Sequence, residues 1–456
     1  MILGSDGKTS TLLECMFGMD VHDVSSVDCL AWVQSMEETL KTLQMLISTT
    51  LALALLAFAA PLANAQFEIT VLHTFVGSPD GTNPSPLIRD RKGNLYGTAQ
   101  AGGGNNNNCE FGCGMVYKID SAGNLINLYS FTGGNNGGYP VAALARDADG
   151  NLYGTTQGLG TFNLSVVFKL APDGTETSFV PPPSIGSLDS PVALDEKGNL
   201  YGMEPYGGTP NCGWDRQGLG CGTLFKMTPH GKFTIIHNFN GTDGMYPESG
   251  LVRDSKGNFY GATVFGGIRA CQGGGNGRVN EPGCGTIFKV DVHGKYTVLR
   301  TFTGHKDGSS PLGLIIDSED NLYGIATGGG DLKDYRYGGG TIFKLDTKTG
   351  VFSVLFTFTP NAPGSNPFVA NLLARDSKGN LYGAPWFGGA NNTGFLFRLD
   401  KKGNYTDLFD FDVLIDGRNQ DGFLPMGIVL GAVGDFYGGM FEGGSSGLGT
   451  VFHIMP

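Results

Sequence analysis

Short apolar and aromatic segments, each bounded by Gly, Asp, Asn or Pro, recur along the chain from Gln66 onward. They are rich in β-branched and aromatic side chains, which is typical of β-strands joined by tight turns. No stretch after Gln66 keeps the 3.6-residue apolar period of an amphipathic helix. The pattern therefore predicts an all-β fold for residues 66–456.

One segment, GNLYG or a close variant, occurs seven times, 48 to 63 residues apart. The copies begin at Gly93, Gly150, Gly198, Gly257, Asp320, Gly379 and Gly434. A second segment of the type GTxFK follows each copy, and an apolar run, usually opened by proline, precedes each copy. A short apolar–aromatic segment follows six of the seven GTxFK copies. Four strands in each of seven units predict a seven-bladed β-propeller with four-stranded blades.

The strands of a unit are named A (the apolar run), B (GNLYG), C (GTxFK) and D (the apolar–aromatic segment). The last unit has no D strand, but an extra D-like segment at residues 70–75 precedes the first A strand. We predict that this N-terminal strand closes the last blade, because pairing would cover two exposed strand edges. An open array of repeats, or two smaller modules, is the alternative.

The N-terminal region is read as a targeting segment. Residues 46–63 are almost wholly apolar and are followed by the small-residue motif Ala63-Asn64-Ala65, which predicts a signal peptide over residues 36–65. An uncleaved membrane anchor is the alternative, since about 20 apolar residues span a bilayer. Residues 1–35 show no repeat, and we predict that they are absent from the mature protein. The mature chain, residues 66–456, is then a single exported domain, secreted or periplasmic, without a membrane span.

Six cysteines follow the predicted leader, two in each of three B–C loops. In an exported protein they predict the disulfides Cys109–Cys113, Cys212–Cys221 and Cys271–Cys284. A zinc site is the alternative, but two cysteines per loop in separate blades do not supply four convergent ligands. The repeated turn Asp-x-x-Gly-Asn is interpreted as a turn former rather than a calcium site, because calcium prefers six to eight oxygens. We therefore expect no metal and no cofactor.

Loop length distinguishes the two faces of the predicted propeller. The A–B and C–D connections are short and uniform, whereas the B–C loops are long and variable, and in a propeller they share one face, here called the B–C face, with the D–A loops. The candidate ligand-binding residues in the B–C loops are Trp214, Asp215, Arg216, Arg269, Arg278, Asp331, Lys333, Tyr335, Arg336 and Trp386. The D–A loops add Asp80, Asp243, Asp307 and Asp421. Solvated loops with turn-forming residues are the alternative for each of them.

The formal net charge of −12 argues against nucleic acid as a partner, since the chain has no basic stripe. The motif order D-x-x-G-N-L-Y-G, a Gly-Gly loop, then G-T-x-F-K resembles the bacterial GloVer tandem-repeat family over residues 66–456. The resemblance implies an exported or surface protein without an established biochemical activity. No catalytic motif is apparent, so we expect a monomeric binding or surface-interaction module for an extracellular carbohydrate or protein. A hydrolase, lactonase or lyase with its site at the central mouth is the alternative.

Overall fold

The repeated turn Asp-x-x-Gly-Asn is held by the same hydrogen bonds in six of the seven repeats of the computed structural model. Asp90 accepts bonds from the backbone amides of Lys92 and Asn94, both at 2.9 Å, and from the Tyr96 hydroxyl at 3.1 Å. Gly93 has φ +89°, a left-handed conformation that glycine adopts without strain. Asn and Tyr bond in the same way to the aspartates Asp147, Asp195, Asp254, Asp317 and Asp376. These aspartates therefore fix strand A to strand B.

The structure describes residues 34–35, 38–45, 67–104, 109–158, 164–185, 188–208, 212, 219–268, 271, 283–332, 338–359, 373–411 and 421–456. The chain divides into two units, Met1–Gln66 and Phe67–Pro456. In the first unit residues 38–45 are helical. The apolar run at 46–63, the cleavage site after Ala65 and most of the segment 1–35 lie outside the described residues. No helix within the described ranges is long and apolar enough to cross a membrane.

Within its described residues, the second unit contains 29 strands and one short 3₁₀ helix, Gly134–Asn136. The first strand is β1 (Glu68–Thr74). Blade 1 follows with β2 (Thr82–Pro84), β3 (Ile88–Arg89), β4 (Leu95–Ala101), β5 (Met115–Ile119) and β6 (Leu125–Ser130). Blade 2 has β7 (Ala145–Arg146), β8 (Leu152–Thr155), β9 (Val167–Leu170) and β10 (Glu176–Phe179). Blade 3 has β11 (Ala193–Leu194), β12 (Leu200–Glu204), β13 (Thr223–Met227) and β14 (Phe233–Asn238).

The remaining four sheets continue the same antiparallel order. Blade 4 has β15 (Val252–Arg253), β16 (Phe259–Thr263), β17 (Thr286–Val290) and β18 (Tyr296–Thr301). Blade 5 has β19 (Ser309–Ile316), β20 (Asn321–Gly328), β21 (Thr341–Asp346) and β22 (Phe352–Thr357). Blade 6 has β23 (Ala374–Arg375), β24 (Leu381–Gly383), β25 (Phe395–Leu399) and β26 (Tyr405–Asp410). Blade 7 has β27 (Phe423–Leu430), β28 (Phe436–Glu442) and β29 (Thr450–Met455), with β1 as its fourth strand.

Strand β1 closes the ring, as the sequence predicts. It pairs antiparallel with β29, with Glu68 opposite Met455 and Thr74 opposite Thr450. The strand begins two residues earlier than predicted and ends one residue earlier. Phe75 follows it directly and is completely buried, so this aromatic anchors the end of the strand in the core. The seven-bladed β-propeller is confirmed, with its first and last strands in one sheet.

Apolar clusters between neighbouring blades form the core. The Phe of the C-strand motif, such as Phe288, is fully buried. A Cβ added to Gly261, the last glycine of GNFYG in the same blade, would lie 2.5 Å from the Phe288 ring. Glycine recurs at this position because the neighbouring aromatic ring occupies the space that a side chain would need.

The three predicted disulfides are confirmed. Cys109 is bonded to Cys113, Cys212 to Cys221, and Cys271 to Cys284. Each bond lies within one B–C loop, in blades 1, 3 and 4. Structural disulfides are typical of oxidising compartments, so they indicate an extracellular or periplasmic location.

Candidate functional site

Most of the predicted B–C loop residues lie outside the described part of the chain. These are Trp214, Asp215, Arg216, Arg269, Arg278, Lys333, Tyr335 and Arg336. Asp331 and Trp386 are described, and both are half-buried. The Trp386 Nε1 atom is buried and has no hydrogen-bond partner in the described structure. The ligand-binding role of this loop set stays a prediction.

Three of the D–A loop aspartates contact a basic residue of the preceding D strand. Asp80 lies 3.0 Å from His73 Nε2, and Asp243 lies 2.9 Å from His237 Nε2. Asp307 pairs in the same way with Arg300 at 2.6 Å. The basic residue occupies the same D-strand position in each blade, so the pair joins loop to strand. These three aspartates therefore hold the D–A loop against the D strand, and a ligand-binding role for them stays a prediction.

A cavity of about 160 Å³ lies where the A segments of the blades converge. Six of the seven blades contribute to its wall, which places it on the axis of the ring. One lining residue from each is Pro86, Ala142, Asp189, Glu248, Leu312 and Met426, from blades 1, 2, 3, 4, 5 and 7. Asp189 and Glu248 are the charged residues of the described wall, and no lysine, arginine or histidine lines it.

The two cavity carboxylates occupy equivalent positions in neighbouring blades. Asp189 precedes the turn residue Asp195 by six residues, and Glu248 precedes Asp254 by six. The other five repeats have apolar residues at this position, namely Pro84, Val141, Pro311, Ala370 and Pro425. The Ser190 hydroxyl donates a 3.5 Å bond to the Pro247 carbonyl, which connects the two segments across the blade boundary. The acidic side of the cavity thus lies between blades 3 and 4.

A third carboxylate, Glu204, lies behind this wall at the end of β12. Its side chain is fully buried, and neither carboxyl oxygen has a hydrogen-bond partner among the described residues. Thr223 stands opposite Glu204 in the sheet, and its buried hydroxyl likewise has no partner there. The equivalent residues of the other blades are uncharged: Ala99, Thr156, Thr263, Ala326, Pro385 and Met440. Glu204 is therefore a departure from the repeat at a buried position.

Burial raises the pKa of all three carboxyl groups, and the charge of Asp189 adds to this rise at Glu204 and Glu248. Burial raises the pKa of Asp189 to about 6. Glu248 is open to solvent in the cavity, yet the enclosing wall and the charge of Asp189 raise its pKa to about 7. Burial and the charge of Asp189 raise the pKa of Glu204 to about 10, and the Tyr206 amide, which lies near the carboxyl group without forming a hydrogen bond of normal geometry, lowers this pKa in part. At neutral pH Glu204 therefore carries a proton, while Asp189 and Glu248 are largely or partly ionised.

This arrangement can bind a cation or move a proton. A protonated carboxyl beside an ionised one is the pairing that general acid–base catalysis requires. Within the described ranges, no group of three or more His, Cys, Asp or Glu side chains is placed to hold a metal ion. The cavity and the raised pKa values of its carboxyl groups make this cluster the best candidate site among the described residues.

Aromatic side chains accompany the carboxylates on the B–C face. Tyr206 lies two residues after Glu204, and Tyr246 lies two residues before Glu248. The rings of Tyr206 and Tyr246 meet edge to face with centroids 5.2 Å apart. Phe265 extends this group, with its centroid 5.7 Å from that of Tyr246. These rings form an aromatic surface on the B–C face of blades 3 and 4.

Sequence reasoning missed all three carboxylates because it searched the long loops. The signal was present in the repeat alignment, where Asp189, Glu204 and Glu248 each replace an uncharged residue found in the other copies. Comparing the seven copies position by position would have identified them. Their convergence on one cavity required the structure.

Three solved structures align with this chain, and one of them does so with a TM-score above 0.5. The structure of streptogramin B lyase aligns with a TM-score of 0.56 and 12% identity, covering 86% of this chain and 99% of that one. An extracellular domain of a hybrid two-component system protein from B. thetaiotaomicron aligns with a TM-score of 0.49 and 12% identity, covering 82% and 40%. A gluconolactonase from Xanthomonas campestris aligns with a TM-score of 0.39 and 14% identity, covering 72% and 88%. At these identities the similarity shows the fold alone.

Comparison of the sequence with known proteins identifies a family. No curated protein sequence matches the chain. The family model for the Gloeobacter/Verrucomicrobia repeat matches residues 58–273 and 213–452, which together contain all seven copies of the GNLYG motif. The two matches cover most of the chain and confirm the resemblance found from the motifs. The chain therefore belongs to the family of Gloeobacter/Verrucomicrobia repeat proteins.

Proposed function

We propose that this protein is an exported propeller that binds a small ligand in its central cavity, at the acidic side between blades 3 and 4. The observation that carries the proposal is Glu204, a buried carboxyl group without a hydrogen-bond partner in the described structure. Burying such a group costs several kcal/mol, and the uncharged residues of the other blades show that the fold does not need it. A costly departure beside a cavity with two more acids supports a binding role.

Export is part of the same proposal. The three disulfides support an oxidising compartment. The signal peptide with cleavage after Ala65 remains to be tested by N-terminal sequencing of the protein recovered from the periplasm or medium. A mature protein that begins near Met1 would contradict this part of the proposal.

A binding screen tests the location of the site. A glycan array and a set of small amines, alcohols and lactones are applied to the wild type and to the cavity variants Asp189→Asn and Glu248→Gln. We expect the cavity variants to lose binding of any ligand found, whereas Asp149→Asn, at an exposed turn, keeps it. A ligand that is lost on Trp214→Ala or Trp386→Ala but retained by the cavity variants would place the site in the B–C loops instead.

An acid–base enzyme is the second candidate function, as a hydrolase, lactonase or lyase. It is favoured by the spread of pKa values, because protonated Glu204 is near Asp189, which is largely ionised at neutral pH. The fold is shared with a structure named as a lyase, so a propeller of this kind is compatible with an enzymatic function. Turnover of lactone, ester and glycoside panels between pH 5 and 9 tests it. An acid–base mechanism that uses the Glu204 proton requires that Glu204→Gln abolishes turnover, and full activity in that variant would exclude this mechanism.

A further inference from the structure

We infer that the ligand of the central cavity carries an alkylammonium group, which Asp189 and Glu248 bind as counter-ions. The inference rests on the proposed function, since it names the chemistry of a ligand in that cavity. It follows from three properties of the described wall: its negative charge, the kind of hydrogen bond that it offers, and its size combined with its apolar surface.

The first property is uncompensated negative charge. Asp189 and Glu248 form none of the ion pairs found among the described residues, whereas Asp80, Asp243 and Asp307 each have a His or Arg partner. No basic residue lines the cavity in the described structure. Two neighbouring carboxylates without a counter-ion repel each other, and a cation removes this repulsion. A neutral ligand would leave both charges unpaired and less hydrated.

The second property is the kind of hydrogen bond the wall offers. Ionised carboxylates are acceptors only, and the cavity presents Asp189, which is largely ionised at neutral pH, and Glu248, which is partly ionised and which a bound cation would hold in the ionised form. An ammonium group has three N–H donors and no acceptor, so it matches this wall. The neighbouring Ser249 hydroxyl is already engaged with the backbone of Ala262, donating to the carbonyl and accepting from the amide. Among the side chains of the described wall, the polar groups left for a ligand are thus the two carboxylates.

The third property is size combined with apolar walls. The cavity of about 160 Å³ is close to the ~150 Å³ that is known to accommodate benzene in a protein core. Ala142, Leu312 and Met426 present apolar surface from blades 2, 5 and 7. Methylene groups attached to the ammonium would pack there and gain about 0.8 kcal/mol per buried CH₂. An inorganic divalent ion would leave this surface unused and would find too few oxygens.

Calorimetry on the full chain tests the inference with a matched pair of probes. n-Butylammonium chloride and n-butanol share the alkyl chain and differ in charge. We expect n-butylammonium to bind and n-butanol to bind at least about tenfold more weakly. Asp189→Asn and Glu248→Gln should each weaken n-butylammonium binding by about tenfold, while Asp149→Asn stays within about twofold of the wild type. Spermidine and Nα-acetyl-lysine methylamide then distinguish a free amine from a lysine side chain as the source.

The outcomes separate this inference from the proposed function. If n-butanol or a neutral glycan binds in a manner sensitive to Glu248→Gln, and n-butylammonium does not bind, the cavity is a binding site but the inferred ligand class is wrong. If calcium chloride binds more tightly than n-butylammonium and both carboxyl variants abolish it, the site is inorganic and the inference fails. If no probe or panel member responds to the cavity variants, both proposals fail. All variants are first compared with the wild type by circular dichroism, and Asp189→Glu and Glu248→Asp, which keep the charge, should retain part of the binding.

Discussion

Glu204 makes the stability of the folded protein decrease as the pH rises. Its pKa is about 10 in the folded protein, against an ordinary value of 4.5. Below pH 4.5 the group is protonated in both the folded and unfolded states and contributes no difference. Above that pH the unfolded chain releases the proton while the folded protein keeps it, so the free energy of unfolding falls as pH rises toward 10. Asp189 and Glu248 also lower the free energy of unfolding as the pH rises, Asp189 up to about pH 6 and Glu248 up to about pH 7.

Replacing Glu204 by Met, the residue that blade 7 has at this position, should therefore stabilise the protein. We expect Glu204→Met to raise the free energy of unfolding at pH 8 by about 2 kcal/mol, and the gain to shrink toward pH 4. Denaturant unfolding at pH 4, 6 and 8 measures it, with Asp149→Asn as the control for loss of an exposed carboxylate. A gain of equal size at all three pH values would show that packing, and not ionisation, is responsible.

In blade 7 the turn motif differs from that of the other repeats at two positions, and the two differences compensate each other. Gly431 replaces the first aspartate, and Asp435 replaces the asparagine four residues later. Asp435 bonds His453 Nε2 at 2.8 Å and the Val433 amide at 3.0 Å. A Cβ at position 431 would collide with the Asp435 carboxylate. The carboxylate has thus moved from one end of the turn to the other, and Gly431 makes room for it.

This exchange predicts a non-additive pair of substitutions. Gly431→Asp alone should lower the free energy of unfolding by about 2 kcal/mol, because two carboxylates would then compete for one place. Adding Asp435→Asn restores the sequence of the other blades and should recover most of the loss. A double-mutant cycle in denaturant measures the coupling. Simple addition of the two single losses would refute the compensation.

At the scale of the element, the sequence predicted the B, C and D strands and the closing strand well. The sequence predicts each A strand as an apolar run that usually opens at a proline, yet five of them, β3, β7, β11, β15 and β23, contain only two residues. In blades 5 and 7 the A strand has eight residues. Asp189, Glu248 and the other wall residues of the short-stranded blades precede the ladder and line the cavity. Apolar pattern alone does not reveal where an inner strand stops pairing near the axis.

Each disulfide should increase the free energy of unfolding by an amount that grows with the length of the loop that it closes. The bonded cysteines are 4, 9 and 13 residues apart in blades 1, 3 and 4. Chain-entropy reasoning gives about 2 kcal/mol for the shortest loop and about 3 kcal/mol for the longest. Pairwise Cys→Ser variants, compared by denaturant unfolding, should follow this order. Far-UV circular dichroism should stay unchanged, because each bond closes a loop outside the sheets.

At the scale of the whole molecule, the cavity exists only because the blades form a ring. Pro86 and Met426 come from opposite ends of the repeat array and line the same wall. The number of repeats and the extra D strand were sufficient to predict this ring from the sequence. The chemistry inside it was not predicted, because a repeat is recognised by what its copies share, whereas Asp189, Glu204 and Glu248 are where the copies differ.

The pairing of β1 with β29 also determines the order in which the molecule can form. Each of the other sheets joins strands close in the chain, but this one joins residues 68–74 to residues 450–455. Long-range contacts are slow to form, because the entropy of closing the intervening chain must be overcome first. Pulse-labelling hydrogen exchange during refolding should therefore find blades 2–6 protected before these two strands. Simultaneous protection of all seven blades would instead indicate that the ring assembles in one cooperative step.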